Sequence, residues 1–269
     1  MIIMNYQPID VSTAMQLVGS SERYQSILQA MSTSQEVFNY PNAELFTFSV
    51  HLRAAIIDAA VKLAESDVRF ATFYGSKCNP EYWQLSHEGG FLLKPNVQPS
   101  HAIRDIFNNS RQYAFECATA MVIILLKGVN RTIGDEAFNR LYRHLYLWDW
   151  HEEPHLPLII EPVEAGGIPG DIIYFKNPQV NPRTPWWQGE NAVVLPNGRY
   201  YGHGVGIQTA EGIIATLNKF RRPGATRSAF IMDRATRINV AHLYLLLHSR
   251  INGWTSERKG TNRRSTTHL

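Results

Sequence analysis

Apolar residues recur at helical spacing in some stretches of the chain and crowd into short strand-like runs in others. Residues 9–32 read as short, mainly polar helices. From Asn42 to about Ser66, Leu45, Leu52, Ile56, Ala59 and Leu63 return on one helical face, and Asn42 is a residue type that caps a helix start. RFATFY (69–74) and EYWQLS (81–86) predict strands around the turn GSKCNP, and FLLK (91–94) a third. A helix begins at Ser100. YAFECATAMVIILL (113–126) predicts an apolar helix stopping at Gly128, and Thr132 with Asp135 suits a capping box for EAFNRLYRHLY. DIIYFKNP (171–178) has the pattern of a buried strand. ENAVVLPNGRYYGHGVGI (190–207) predicts a hairpin turning at Asn197-Gly198. A helix near 210–219, a strand at 228–232 and a helix at 240–249 complete the pattern. Helices lead and antiparallel strands follow, which predicts an α+β fold in one domain rather than alternating βα units.

Composition narrows the class. The chain has 269 residues, 44% of them hydrophobic, enough for one sizeable core. Its net charge of +3 gives no reason to expect a polyanionic partner, so no nucleic acid is expected. Two cysteines make no disulfide framework and suit a reducing compartment. The start, MIIMNYQPIDVSTAM, lacks a basic segment followed by an apolar one, so cytoplasmic synthesis without a signal peptide is expected. AMVIILL (120–126) is far short of the ~20 residues that span a bilayer, and no membrane partner is expected.

Candidate chemistry centres on Cys117. In the first turn of a helix, free N–H groups and the dipole favour an anion, and a thiolate is the nucleophilic form. A buried cysteine acting as a small hydrophobe is the plainer alternative. In a two-residue hairpin, Pro196 faces Arg199, so His203 faces Ala192 and Glu190 faces Val205. Glu190 and His203 are then diagonal neighbours on one sheet face, able to share a proton or to form a merely exposed ion pair. Glycines 202, 204 and 206 allow close backbone approach or mark a bend. Glu116 suits either helix electrostatics or proton traffic. His151, Glu152, Glu153 and His155 are metal-ligand types without a metalloprotease or zinc-finger spacing, so no metal and no cofactor are expected.

The motifs AIRDIFNNSRQYAFECATAMVII, LYLWDWH, GDIIYFKNP, WWQGENAVVL, YYGHGVGI and ATRSAFIMDRATRINV together resemble the small calcium-independent transglutaminases of spore-forming bacteria. The likeness runs from about Ala43 to about His248, with a weaker match over the first forty residues. It implies a papain-like core of the cell-wall cysteine peptidase type, with a cysteine opening a helix packed on an antiparallel sheet. It implies 41–249 as the catalytic domain; the residues themselves read as an N-terminal helical segment over 1–40 and, with no counterpart in that family, a basic, flexible tail over 250–269. The implied catalytic residues are Cys117 as nucleophile, Glu190 as acid, His203, and Glu116 as an auxiliary acid. Phe70, Trp150 and Trp187 match residues of a substrate tunnel. The implied reaction joins protein glutamine to protein lysine through a cysteine thioester, in the spore coat. Either Glu190 or His203 could be the base. A cysteine amidase or peptidase of the same fold and a non-catalytic coat protein are the alternative readings.

Overall fold

The computed structural model describes residues 1–151, 153–164 and 166–257, and only the backbone over 249–257. Among the described residues lie seven α-helices: α1 Val11–Val18, α2 Glu22–Thr33, α3 Ala43–Ala64, α4 Pro99–Asn108, α5 Cys117–Leu141, α6 Ala210–Asn218 and α7 Val240–Glu257. The main sheet holds six antiparallel strands, β1 Leu158–Pro162, β2 Ile172–Lys176, β3 Gly189–Leu195, β4 Arg199–Gly202, β5 Gly206–Thr209 and β6 Phe230–Ile238. Their spatial order is β5-β4-β3-β2-β6-β1. Successive side chains of β3 serve two cores. Val193 and Leu195 join the large one with α3 and α5. Ala192 and Val194 join a smaller one with Ile213 and Leu217 of α6. The α+β expectation is met, with a cysteine-headed helix against an antiparallel sheet.

Helix α3 begins where expected, the Asn42 side chain accepting from the Leu45 N–H at 2.8 Å. Helix α5 does not stop at Gly128. A Cβ there would lie 2.6 Å from the Ile56 side chain, so this glycine is the contact through which α3 and α5 close on each other. The helix breaks instead at Gly134, whose φ of +80° belongs to the left-handed region. By length and composition α5 could cross a bilayer, but Ala120 to Leu126 are all buried, as in the central helix of a packed core.

The early strands are shorter than predicted and paired differently. Arg69–Phe70 pairs in parallel with Ala114–Phe115, while Trp83–Leu85 pairs with Phe91–Leu93. Phe73–Gly75 is a 3₁₀ turn. Residues 1–40 are not helical throughout: Ile2–Met4 and Phe38–Tyr40 form parallel strands. The first forty residues pack into the large core through Ile2, Ala14, Ile27, Leu28 and Met31. A buried ion cluster ties them further. Asp171, with none of its side chain exposed, accepts from Arg53 at 2.7 Å and from Arg237 at 2.6 Å, and Arg237 also reaches Glu36 at 2.7 Å. Helix α7 continues to Glu257, past the predicted end at 249. The rest of the expected tail, 258–269, lies outside the described residues.

Candidate active site

Cys117 owes its position to the segment before it. The Tyr113 hydroxyl donates to buried Asp105 at 2.6 Å. Ala114–Phe115 then pairs with Arg69–Phe70, which sets Phe70 beside the helix start. Cys117 is the first residue of α5, and Glu116 is its N-cap. The Glu116 carboxylate accepts from the Ala118 N–H at 2.8 Å and from the Thr119 N–H. Of the two readings left open for Glu116, the structure gives it the helix-capping contacts.

That cap changes the electrostatics at the thiol. The sequence predicts a lowered Cys117 pKa from the open helix start. The structure gives the opposite direction: burial raises it well above the ordinary thiol value, and the negative charges of Glu190 and Glu116 push it higher. The orphan N–H groups that would favour a thiolate are partly consumed by Glu116. Against this, Asn191 donates to the sulfur, its Nδ2 standing 3.7 Å from Sγ.

The hairpin carrying Glu190 is displaced by one residue from its predicted register. Leu195 faces Arg199 and Ala192 faces Gly202. A two-residue hairpin needs the residue at 196 to donate an N–H to its closing pair, and Pro196 has none. The following strand also ends early. Gly202 faces Gly206, so His203 occupies the turn between β4 and β5 and does not face Ala192. Glu190 and His203 still meet, but through the turn's backbone. The Gly204 N–H donates to Glu190 Oε1 at 3.0 Å, and the His203 backbone N–H is a second partner of that carboxylate. Gly202 and Gly204 make this possible: Cβ atoms there would stand 2.8 Å from Oε1 and 3.2 Å from Oε2.

Glu190 is 2% exposed and has no cation beside it among the described residues. Burial pushes its pKa up to about 8, against the two backbone donors and assisted by the Glu116 charge. The His203 ring stacks on Phe115 with centroids 4.8 Å apart. Its Nε2 lies 3.3 Å from the Arg69 carbonyl and its Nδ1 3.0 Å from the Tyr201 hydroxyl. A carbonyl only accepts, so Nε2 carries the proton and Nδ1 accepts from Tyr201. Burial lowers the imidazole pKa to about 4, which leaves His203 neutral and a poor base near neutrality.

A cavity of about 700 Å³ opens onto the sulfur. Phe70, Trp150 and Trp186 line it, with Glu116, Asp149, Tyr174 and Asn191. Trp187, predicted to line a tunnel, stacks instead on Phe220 at 4.1 Å and backs Phe70 at 6.3 Å. Trp186 is the tryptophan of the pair that faces the cavity. Asn191 and Asp149 escaped the sequence reading. Alternation along β3, in the register now seen, puts Asn191 on the α5 face with Val193 and Leu195. In the 151–155 stretch His155 pairs with Glu153 at 3.3 Å, and Glu152 lies outside the described residues.

The chain matches the family model described as "TGL: Protein-glutamine gamma-glutamyltransferase" over residues 1–247, so the first forty residues are inside the match. It is 48% identical over 217 residues to a protein-glutamine gamma-glutamyltransferase of Bacillus cereus (strain G9842), covering 80% of this chain and 78% of that one. Identity to the enzyme of Halalkalibacterium halodurans is 44% over 214 residues, covering 80% and 75%. A solved transglutaminase from Geobacillus stearothermophilus, without its C-terminal extension, superimposes with a TM-score of 0.73 at 49% identity, covering 76% of this chain and 97% of that one.

Proposed function

The chain belongs to the protein-glutamine gamma-glutamyltransferase family, an acyltransferase acting on protein glutamine and lysine, and from that premise we propose that Cys117 is its nucleophile and Glu190 its proton carrier. One observation carries this reading: the only thiol facing the 700 Å³ cavity, among the described residues, feels the charge of Glu190, a buried carboxyl group with no cation beside it. At neutral pH both groups are mainly protonated, so a ready thiolate is not the resting form. Once Glu190 ionises, near pH 8, its carboxylate takes the thiol proton as Sγ attacks the γ-carboxamide carbon of glutamine. The tetrahedral oxyanion is met by Asn191 Nδ2 and the Cys117 N–H, the first of the helix's unpaired donors. The C–N bond breaks, the nitrogen takes the proton from Glu190, and ammonia leaves a thioester. A lysine ε-amine then attacks the thioester carbon and gives its proton to Glu190. The C–S bond breaks, the sulfur recovers the proton, and an isopeptide bond remains.

His203 is a positioning residue in this scheme. A neutral ring clamped between Tyr201, Arg69 and Phe115 fixes the turn whose N–H groups hold Glu190. The opposite assignment, with His203 as base, fits poorly with its low pKa and its occupied nitrogens. Phe70, Trp150 and Trp186 exclude water from the thioester, favouring the amine over hydrolysis. Catalysis needs no calcium along this route. The finer setting, cytoplasmic synthesis followed by cross-linking in the spore coat, rests on the motifs shared with enzymes of spore-forming bacteria.

The test is incorporation of a fluorescent primary amine into a glutamine-rich protein, with ammonia release followed in parallel and a chelator present. Wild type is expected to incorporate the amine and Cys117→Ala to lose at least a thousandfold of that rate. Ammonia release without incorporation would make the protein a hydrolase, and incorporation by Cys117→Ala would overturn the nucleophile.

A further inference from the structure

Among the described residues, Glu190 and Glu116 act on the sulfur through their charge and Asp149 lines its cavity, and of the three only Asp149 is uncommitted. Glu190 is buried and held by the 202–204 turn. Glu116 accepts from two N–H groups of α5. Asp149 lines the same cavity as Cys117, and among the described residues its carboxylate has no hydrogen-bond or ion-pair partner. Its backbone is fixed: the Asp149 N–H donates to the Thr119 hydroxyl, on the first turn of α5, at 3.0 Å. Trp150 and Trp186 line the cavity with it, apolar surfaces suited to a four-carbon stem.

Resting on the transfer reading above, we propose that Asp149 is the acceptor-specificity residue, binding the ε-ammonium of the incoming lysine at the cavity wall. Lysine is overwhelmingly protonated at neutral pH, so the acceptor reaches the cavity as a cation. A carboxylate without a cation of its own, inside an aromatic-walled cavity, supplies the charge-assisted contact that a neutral acyl donor does not use. The glutamine carboxamide is uncharged and gains nothing from it electrostatically. Asp149 therefore separates the two substrates by charge: the donor is read at Cys117 and Asn191, the acceptor at Asp149. Binding here holds the ammonium form; its extra proton is lost to solvent as the amine moves to the thioester, which leaves Glu190 free to take the proton released on attack.

The test uses two acceptors with the same protein donor, an alkyl primary amine that is cationic at the assay pH and a hydrazide that is not. Asp149 has φ of +49°, a conformation that Asn and Gly both tolerate, so Asp149→Asn and Asp149→Gly keep the backbone while removing the charge. For both variants KM for the amine is expected to rise about ten- to hundredfold. KM for the hydrazide, KM for the glutamine donor and the rate of thiol alkylation at Cys117 are expected to stay within about twofold. An equal rise for both acceptors, or no rise for the amine, would overturn the assignment. Failure of the wild type to incorporate either acceptor would overturn the transfer chemistry itself, and the assignment with it.

Discussion

Asp171 and Glu190 are both carboxylates sealed from water, and the protein treats them in opposite ways. Asp171 sits between α3 and β6 with two guanidinium groups against it; Arg53 foremost and Arg237 beside it hold its carboxyl below the ordinary value, despite complete burial. Glu190 has glycine backbone in place of arginine, and burial lifts it to about 8. The first group is a charge used as a rivet between the N-terminal segment, α3 and the sheet. The second is a proton held where the charge is discouraged. A buried acid with cations is structural; a buried acid denied cations, beside a thiol, is available for chemistry.

Breaking the rivet has the largest expected effect. Asp171→Asn leaves Arg53 and Arg237 short of their counter-charge, and should cost roughly 3–5 kcal/mol of stability in denaturant titration. Glu190→Gln should act the other way on stability. Because the folded pKa of Glu190 is raised, its favourable protonated contribution is whole below pH about 4.5 and is lost as pH climbs through about 8. The glutamine variant, always neutral, should therefore match wild type at pH 4, pull ahead across that window, and lead by roughly 2–4 kcal/mol at pH 9. Its amine incorporation should fall by about 10²–10⁴-fold, and the rise in rate near pH 8 should vanish. Equal stability at pH 9 would show that Glu190 ionises without penalty. The smallest effect belongs to Glu116→Gln. Loss of the charged cap should cost about 1 kcal/mol in thermal unfolding. Loss of its charge should also bring the midpoint of the pH–rate profile down from that of wild type.

Of the two carboxylates only Glu190 is legible in the chain; nothing in the sequence marks Asp171 and its two arginines as an ion cluster. Asn42 announced the start of α3, the glycines around His203 announced close approach, Cys117 and Glu116 do share one cavity, and Glu190 and His203 do meet at the 202–204 turn. What escaped was set at long range. Pro196 withholds one N–H and thereby moves the whole register of β3 against β4 by a residue, and the early pairing of Gly202 with Gly206 puts His203 on a turn. The parallel pairing of Arg69–Phe70 with Ala114–Phe115 joins segments forty-five positions apart and leaves no local periodicity. The thiol's direction failed for a related reason. The helix start was correctly placed, but its N–H groups were assigned to the sulfur when the neighbouring glutamate takes them. Of the Trp186-Trp187 pair, the stack on Phe220 turns Trp187 away from the cavity, a contact no spacing rule foretells.

The protonated state of Cys117 has a consequence for endurance. It is the thiolate that attacks peroxides and disulfides, and the sulfur climbs the oxidation ladder from there. A sulfur that surrenders its proton only to Glu190, as it attacks, is a slow target for both. Such an enzyme keeps its reactive atom unspent between turnovers, and its ageing begins only at a pH high enough to ionise the sulfur itself.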